Sequence, residues 1–540
     1  MPLKGKAHVM KNILWLIIGA LFFSPISLQS WHPPKAIEGP FNNVEGVQIK
    51  LDNQGNAFAL WIDFNGISRT VNTAYYNQQL NQWSDSSFLS LPNAHACKLA
   101  VSEVGQAMAV WERNDPILGT IKVEYAIYEN GKWTFGKPIS SFSLENETTP
   151  QVIINSQGYA VVVWQTESSI RAAVYDFDFS EWAEPVDISD TEITNQKKHI
   201  KIANNQEHLE VIWEWKNLKT LESKIQTIHY HDFIWEPIQD VITVSFPEAA
   251  YFPHIALSKE GIAYALWTNL KLKGNHYETT MEFSKKSENW TDSVSISEPI
   301  AASSLDTIPK GKIAVNESGK VLAIWDNTHI ETSLFTVQAR LNDNGQWRSK
   351  IETISTPSIL VTSSELVMDA REGAIVVWVS HYPLGSYQLF SSTYNFVSWS
   401  SPILINEFTY SDAIEEMSIV MNKTGECQAI WSQGGPGWVF INTSITSVRP
   451  VTPSNFKGRV ILNKFPFHQE YFYEFTWDPC PSSKIIAYHL FKDNKLLAKL
   501  NANTFVFVER NKNMKIQHTY TLIAENSDGL LSLPISITLP

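Results

Sequence analysis

The chain has 540 residues, a formal net charge of −13 and 20 tryptophans, enough for several domains or for one large repeat assembly with a small module. The acidic balance argues against a general nucleic-acid binder, whose footprint is basic. Three scattered cysteines, Cys97, Cys427 and Cys480, are too few for a disulfide framework.

Lys4, Lys6 and Lys11 precede the apolar run ILWLIIGALFF, residues 13–23, and the polar stretch SPISLQS follows, the order of an export signal. Residues 1–30 therefore read as a leader, with Met1 and Met10 both open as initiator. The mature chain is expected to be exported to the periplasm, the cell surface or the medium. No cysteine follows the run to carry a lipid, and no later stretch holds eighteen consecutive apolar residues.

Beyond the leader one pattern returns eight times: a short apolar strand, a turn usually carrying Asn and Gly, and a strand ending in Trp. The anchors are Trp61, Trp111, Trp164, Trp213, Trp267, Trp325, Trp378 and Trp431, separated by 50, 53, 49, 54, 58, 53 and 53 residues. VSEVGQAMAVW, residues 101–111, and LSKEGIAYALW, residues 257–267, are typical. Glycines such as Gly105 and Gly158 free the turn backbone, and the alternation after them puts small residues and the Trp on one face. Between anchors lies an alternating strand, then a turn and a second Trp, at 83, 133, 182, 235, 290, 347 and 399. Each unit thus reads as four strands. A sheet with one apolar face cannot bury it alone, whereas radial stacking of copies buries every face and leaves short protected edges.

The eighth copy lacks a fourth strand, and WHPPKAI, residues 31–37, has the aromatic, proline and isoleucine order of the missing piece. The expected fold is all-β: an eight-bladed β-propeller over residues 31–448, closed by an N-terminal strand from residues 31–38. After the linker SVRPVTPSN, residues 449–540 hold seven short strands that suit an immunoglobulin-like two-sheet sandwich. Trp477 before Asp478-Pro479, the pair Ile486 and Tyr488, and the stretch from Tyr520 to Gly529 resemble a fibronectin type III domain. The resemblance implies packing roles for Trp477, Tyr488 and Tyr520.

The repeats with their second Trp, as in NQQLNQWSD and LNDNGQWRS, resemble those of bacterial sialidase-like propellers, which include glycan hydrolases and binding proteins. These stretches keep mainly the aromatic of that family's Ser-x-Asp-x-Gly-x-x-x-Trp turn. Arg113, Arg171 and Arg371 fall in different units and match no arginine cluster of that family. No HExxH, phosphate-binding glycine loop or nucleophile elbow occurs. His229, His231 and Asp232 in IHYHDF have a spacing usable by a metal, but no third convergent ligand is visible, and neither metal nor cofactor is expected.

The connections after each anchor Trp vary most in length and charge, from QTESS to TNLKLKGNHYE, as loops that carry function on a fixed frame do. Asp63, Arg113, Glu167, Trp215, Asn269, Asp326, His381 and Gln433 take early positions there and are expected to meet near a channel mouth as a ligand-binding rim. The expected function is a non-enzymatic binding or scaffolding protein presenting this face to a glycan or protein ligand. The alternative is a secreted carbohydrate-active enzyme working through carboxylates at the channel, such as Asp63 and Asp326.

Overall fold

Each Trp-anchored copy folds as one antiparallel sheet. In the third copy the turn is closed by Asn155, whose Oδ1 accepts the N–H groups of Gln157 and Tyr159 at 3.1 and 2.9 Å, while Gly158 takes a φ of +84°. The computed structural model describes residues 31–540 apart from 118, 140–144, 206, 303–307, 330–331, 344, 370–372, 383–384, 407–411, 423–424, 447–449, 466, 468, 481–484 and 511–516. The expected leader, residues 1–30, lies outside the described residues.

The described strands form ten antiparallel sheets and divide into two compact units. One is Pro33–Ile445; the other is Thr446–Pro540 with Trp31 and His32. No helix among the described residues is long and apolar enough to cross a membrane.

Eight sheets make up the first unit. The third shows the plan: Thr148–Ile154, Tyr159–Gln165 and Ile170–Asp176 lie side by side in chain order. The fourth strand is broken at Pro185 into Glu181–Trp182 and Val186–Asp187, both paired to the third strand, because proline has no N–H for the ladder. In the eighth sheet Met417–Met421, Cys427–Gly435 and Trp438–Ile445 are completed by Lys35–Phe41 from the other end of the chain. The expected segment, residues 31–38, is the right one with its pairing moved toward the C-terminus. Trp31 bridges Thr446, Pro33 and Pro34 cannot donate, and the continuous ladder runs on from Lys35 opposite Thr443.

The first strand of each sheet packs against the first strand of the next, and Met417–Met421 of the eighth packs against Asn43–Leu51 of the first. All eight anchor tryptophans are fully buried. Seven of them, all but Trp431, sit in clusters shared by adjacent sheets. Trp164, for example, packs with Met108 and Val110 of the second sheet, and Trp61 with Ile430 and Ile441 of the eighth. The second tryptophans pack on the preceding copy: Trp182 meets Tyr125 edge-on at 5.0 Å, and Trp347 meets Phe283 at 4.9 Å.

The second unit has one sheet of Lys457–Lys464, Gln469–Thr476 and Val506–Glu509. The other orders Lys495–Asn501, Ile485–Lys492, His518–Asn526 and Ile535–Leu539. Trp477, Tyr488 and Tyr520 are buried in its core, as their implied packing roles require, and the Tyr488 hydroxyl accepts the Cys480 N–H at 2.8 Å. The three cysteines are buried, and none is in a disulfide.

Candidate functional site

The innermost strands of the first unit are not regular. Pairing shifts between Glu45 and Gln48, His95 and Lys98, Thr148 and Gln151, Lys198 and Lys201, and Tyr251 and His254. Inside these bulges one residue has positive φ: Gly46, Ala96, Thr149, His199 and Phe252 respectively. Four of the five are not glycine, so something must hold them there. Carboxylates of neighbouring sheets do so for two of the four, and a third holds the residue after Gly46. Glu112 accepts the Thr149 N–H at 2.6 Å, Glu214 accepts the Phe252 N–H, and Glu416 accepts the Val47 N–H at 2.8 Å. Burial raises the carboxyls of Glu112 and Glu416 above the usual carboxylate range, against the pull of those same N–H groups.

Two residues past each bulge residue the strand presents Gln48, Lys98, Gln151, Lys201 and His254. The same register position, opposite the residue before the anchor Trp, holds Lys312, Glu365 and Ser418 in the last three sheets. All eight are polar and at least partly open to solvent, whereas flanking residues such as Val47, Ile49, Cys97 and Leu99 are buried. Alternation along eight cyclically packed inner strands therefore directs one polar side chain per sheet at the space they enclose.

The electrostatics of this ring are those of crowded cations. Burial, then Lys98 and Lys312, lowers the Lys201 ammonium to about 8, while Glu365 acts in the opposite sense. Lys50, one turn of the alternation further along, is also lowered by burial and by Lys98. Its surface touches water, yet protein surrounds it. His254 is pushed down to about 3 by burial, Lys312 and Lys201, so it is neutral at pH 7 and accepts the Ile313 N–H at 3.4 Å. Lys312 pairs with Glu365, and the Ser418 hydroxyl accepts the Ile49 N–H at 3.3 Å. A cavity of about 470 Å³ opens beside the ring, lined by Gln48, Lys98, Thr362, Ser363, Glu415 and Glu416 among others.

The eight expected rim residues lie near the ends of the second strands or in the connections after them. Asp63 accepts the Thr70 hydroxyl at 2.7 Å. Arg113 donates to Glu124 at 2.5 Å, and Glu124 in turn accepts the Trp111 indole N–H at 3.0 Å. Glu167 accepts from Asn146, and the Trp215 indole donates to Asp190 at 2.8 Å with Lys224 over its ring. Asn269 is buried and its Oδ1 makes no hydrogen bond among the described residues. Asp326, raised to about 6 by burial, accepts the Lys310 N–H at 2.6 Å. His381 stacks on Tyr387 at 4.4 Å, and Gln433 accepts the Trp431 indole N–H at 3.0 Å. In none of these contacts is the partner another of the eight. Arg171 pairs with Asp187 at 3.0 Å, and Arg371 lies outside the described residues.

Sequence reasoning passed over the polar ring. A signal was present: the ring residue stands thirteen positions before the anchor Trp in seven copies and twelve before it in the fourth.

No family model matches the chain, and no curated protein matches it. Among solved structures it is similar to a PL25 polysaccharide lyase, an ulvan lyase bound to -[GlcA(1-4)Rha3S]-, at 10% identity and a TM-score of 0.42, covering 65% of this chain and 93% of that one. It is also similar to the polysaccharide lyase Uly1, at 7% identity and a TM-score of 0.43 over 79% of this chain and 95% of that one. A third likeness is to the BP39L lectin from Burkholderia pseudomallei, at 12% identity and a TM-score of 0.43 over 68% of this chain and all of that one. Likeness at these TM-scores carries no argument about activity.

Proposed function

We propose that the eight sheets are the blades of a closed propeller spanning residues 31–448, that residues 449–540 form a fibronectin type III-like sandwich, and that the exported protein binds an anionic saccharide in the channel. The observation that carries this reading is the ring. Lys98, Lys201 and Lys312, with Lys50 beside them, face Glu365 in a chain whose net charge is −13. Like charges crowded in a partly desolvated space repel, and an entering carboxylate or sulfate relieves that repulsion. The amides of Gln48 and Gln151 and the hydroxyl of Ser418 supply the donors and acceptors that sugar hydroxyls need. The eight positions after the anchor tryptophans, at the same end of the sheets as the bulges, flank the mouth.

Calorimetry of the whole protein with uronate-bearing and sulfated oligosaccharides, and with neutral counterparts of equal length, tests this reading. Binding is expected only for the anionic set, weakening with salt and falling at least about tenfold in Lys98→Gln/Lys201→Gln, as loss of about 1.4 kcal/mol requires. Equal binding of neutral and anionic chains, or unchanged affinity in the variant, refutes it.

A second reading, a carbohydrate-active enzyme, draws on Glu416. Its carboxyl is raised by burial and shares the cavity with Lys98, so a carboxyl group and an amine stand in one site. Turnover measured alongside binding decides: product formed by the native protein and lost in Glu416→Gln establishes the enzyme, and binding without product establishes the binder.

A further inference from the structure

Folding gathers titratable side chains a second time, away from the ring, in the fourth sheet. His208 lies in the turn between Asn195–Asn204 and Leu209–Asn217; His229 and His231 lie on the third strand, Ser223–His231; and Glu236 follows the next turn. The three imidazoles pack with ring centroids 5.2, 5.4 and 5.9 Å apart. One ligand atom from each of His229, His231 and Glu236 lies within 4.8 Å of the others. Asp232, which stands next to His231 in sequence, is an exposed turn residue outside this group.

We propose that His208, His229, His231 and Glu236 bind a divalent transition-metal cation of the zinc class. His208 Nδ1 and His229 Nε2 stand 3.2 Å apart. Two imidazole nitrogens on a tetrahedral ion with bonds of about 2.0–2.1 Å are about 3.3 Å apart, so this pair already spans a coordination edge. The opposite nitrogen of His229 is fixed as a metal-binding histidine's is: Nδ1 meets Glu210 Oε2 at 2.7 Å, and Glu210 is itself buried and 3.4 Å from the Lys286 ammonium. The hydrogen bond to Glu210 holds a proton at Nδ1 and leaves the Nε2 lone pair turned toward His208. His231 Nδ1 is buried with no hydrogen bond among the described residues, 3.6 Å from Glu236 Oε1. A hydrogen-bonded histidine pair and a His231–Glu236 ion pair account for these contacts two by two, whereas a cation held by His229, His231 and Glu236 with His208 at its edge joins them in one site. His208 is also held in place from outside. A Cβ on Gly261, in the matching turn of the fifth sheet, would meet its ring at 2.9 Å, and Asn205 donates to the Ser258 carbonyl of that turn at 2.8 Å. Imidazole and carboxylate together suit zinc better than calcium or magnesium, which take oxygen ligands.

The test uses the full chain, freed of any histidine tag and dialysed against a chelator, titrated with Zn²⁺ by calorimetry and with Co²⁺ by visible absorption. One equivalent of zinc is expected to bind, with an intense tetrahedral cobalt spectrum. His208→Gln and His231→Gln are each expected to weaken zinc at least hundredfold, and Glu210→Gln about tenfold to hundredfold through the ring it orients. Should a variant fail to fold, histidine modification of the native protein answers instead, since zinc must protect His208, His229 and His231 and leave His276 reactive. Zinc uptake that is absent, or that stays unchanged in His208→Gln/His231→Gln, overturns the site, as does equal modification with and without zinc.

Discussion

Replacing Lys201 by glutamine is expected to stabilise the ligand-free protein at neutral pH. Burial, then Lys98 and Lys312, brings this ammonium down to about 8 from 10.5. Between those values the unfolded chain binds a proton that the folded chain does not, so stability rises with pH across the window. The penalty is fully present below about pH 8 and gone above 10.5. At 1.36 kcal/mol per pH unit it would reach about 3.4 kcal/mol, but the side chain is open to channel water, and screening reduces this to about 1 kcal/mol. In a unit of this size that corresponds to a melting temperature about 1 °C higher for Lys201→Gln at pH 7. Scanning calorimetry at low salt and pH 7, 9 and 10.5 should show the advantage shrinking with pH, and added salt should reduce it at pH 7. A variant that melts at or below the native temperature at pH 7 refutes the crowded-cation argument. The same substitution weakens the anionic saccharide, so stability is gained where binding is lost.

His254 is neutral in the fold down to about pH 3, while its unfolded form charges near 6.5, so the protein should lose stability as pH falls through that interval; melting curves of His254→Asn should fall less steeply from pH 6.5 to 4. Trp213→Ala removes a fully buried anchor and is expected to cost about 3–5 kcal/mol, read as a shifted denaturant midpoint; a loss below 1 kcal/mol contradicts its place in the core. Gly136→Ala drives a methyl into the indole of Trp111 and should cost about 1–3 kcal/mol by the same assay.

The period and the apolar face were legible because burying one indole per copy leaves a fixed mark in the chain. The N-terminal strand of the eighth sheet was legible in composition but not in extent, since beyond the Trp31–Thr446 bridge its continuous ladder runs from Lys35 to Phe41. The ring was harder to read: a lone Lys98 or Gln151 between apolar neighbours looks like the solvated side of any alternating strand. The bulges gave no warning, for Ala96, Thr149, His199 and Phe252 are not turn residues, and the carboxylates that hold two of them lie in another sheet. The connections after the anchors drew attention by their variety, yet partners such as Thr70 for Asp63 and Glu124 for Arg113 lie on the third strand and become visible only once strands pair. His208 stands 21 residues before His229, and the register that places Glu210 opposite His229 brings the two rings together.

In the proposed propeller, closure of the eight sheets brings Lys98, Lys201 and Lys312 into one space, and it rests on Lys35–Phe41 pairing with Trp438–Ile445. Ala36 and Asn442 are direct partners across that pairing, and the native cysteines are buried and form no disulfide. In folded Ala36→Cys/Asn442→Cys, mild oxidation should join the two ends of the chain by a disulfide, seen by mass spectrometry of the digested protein. Introduced thiols that stay unlinked and reactive while the fold is intact would contradict a closed ring and the shared channel within it.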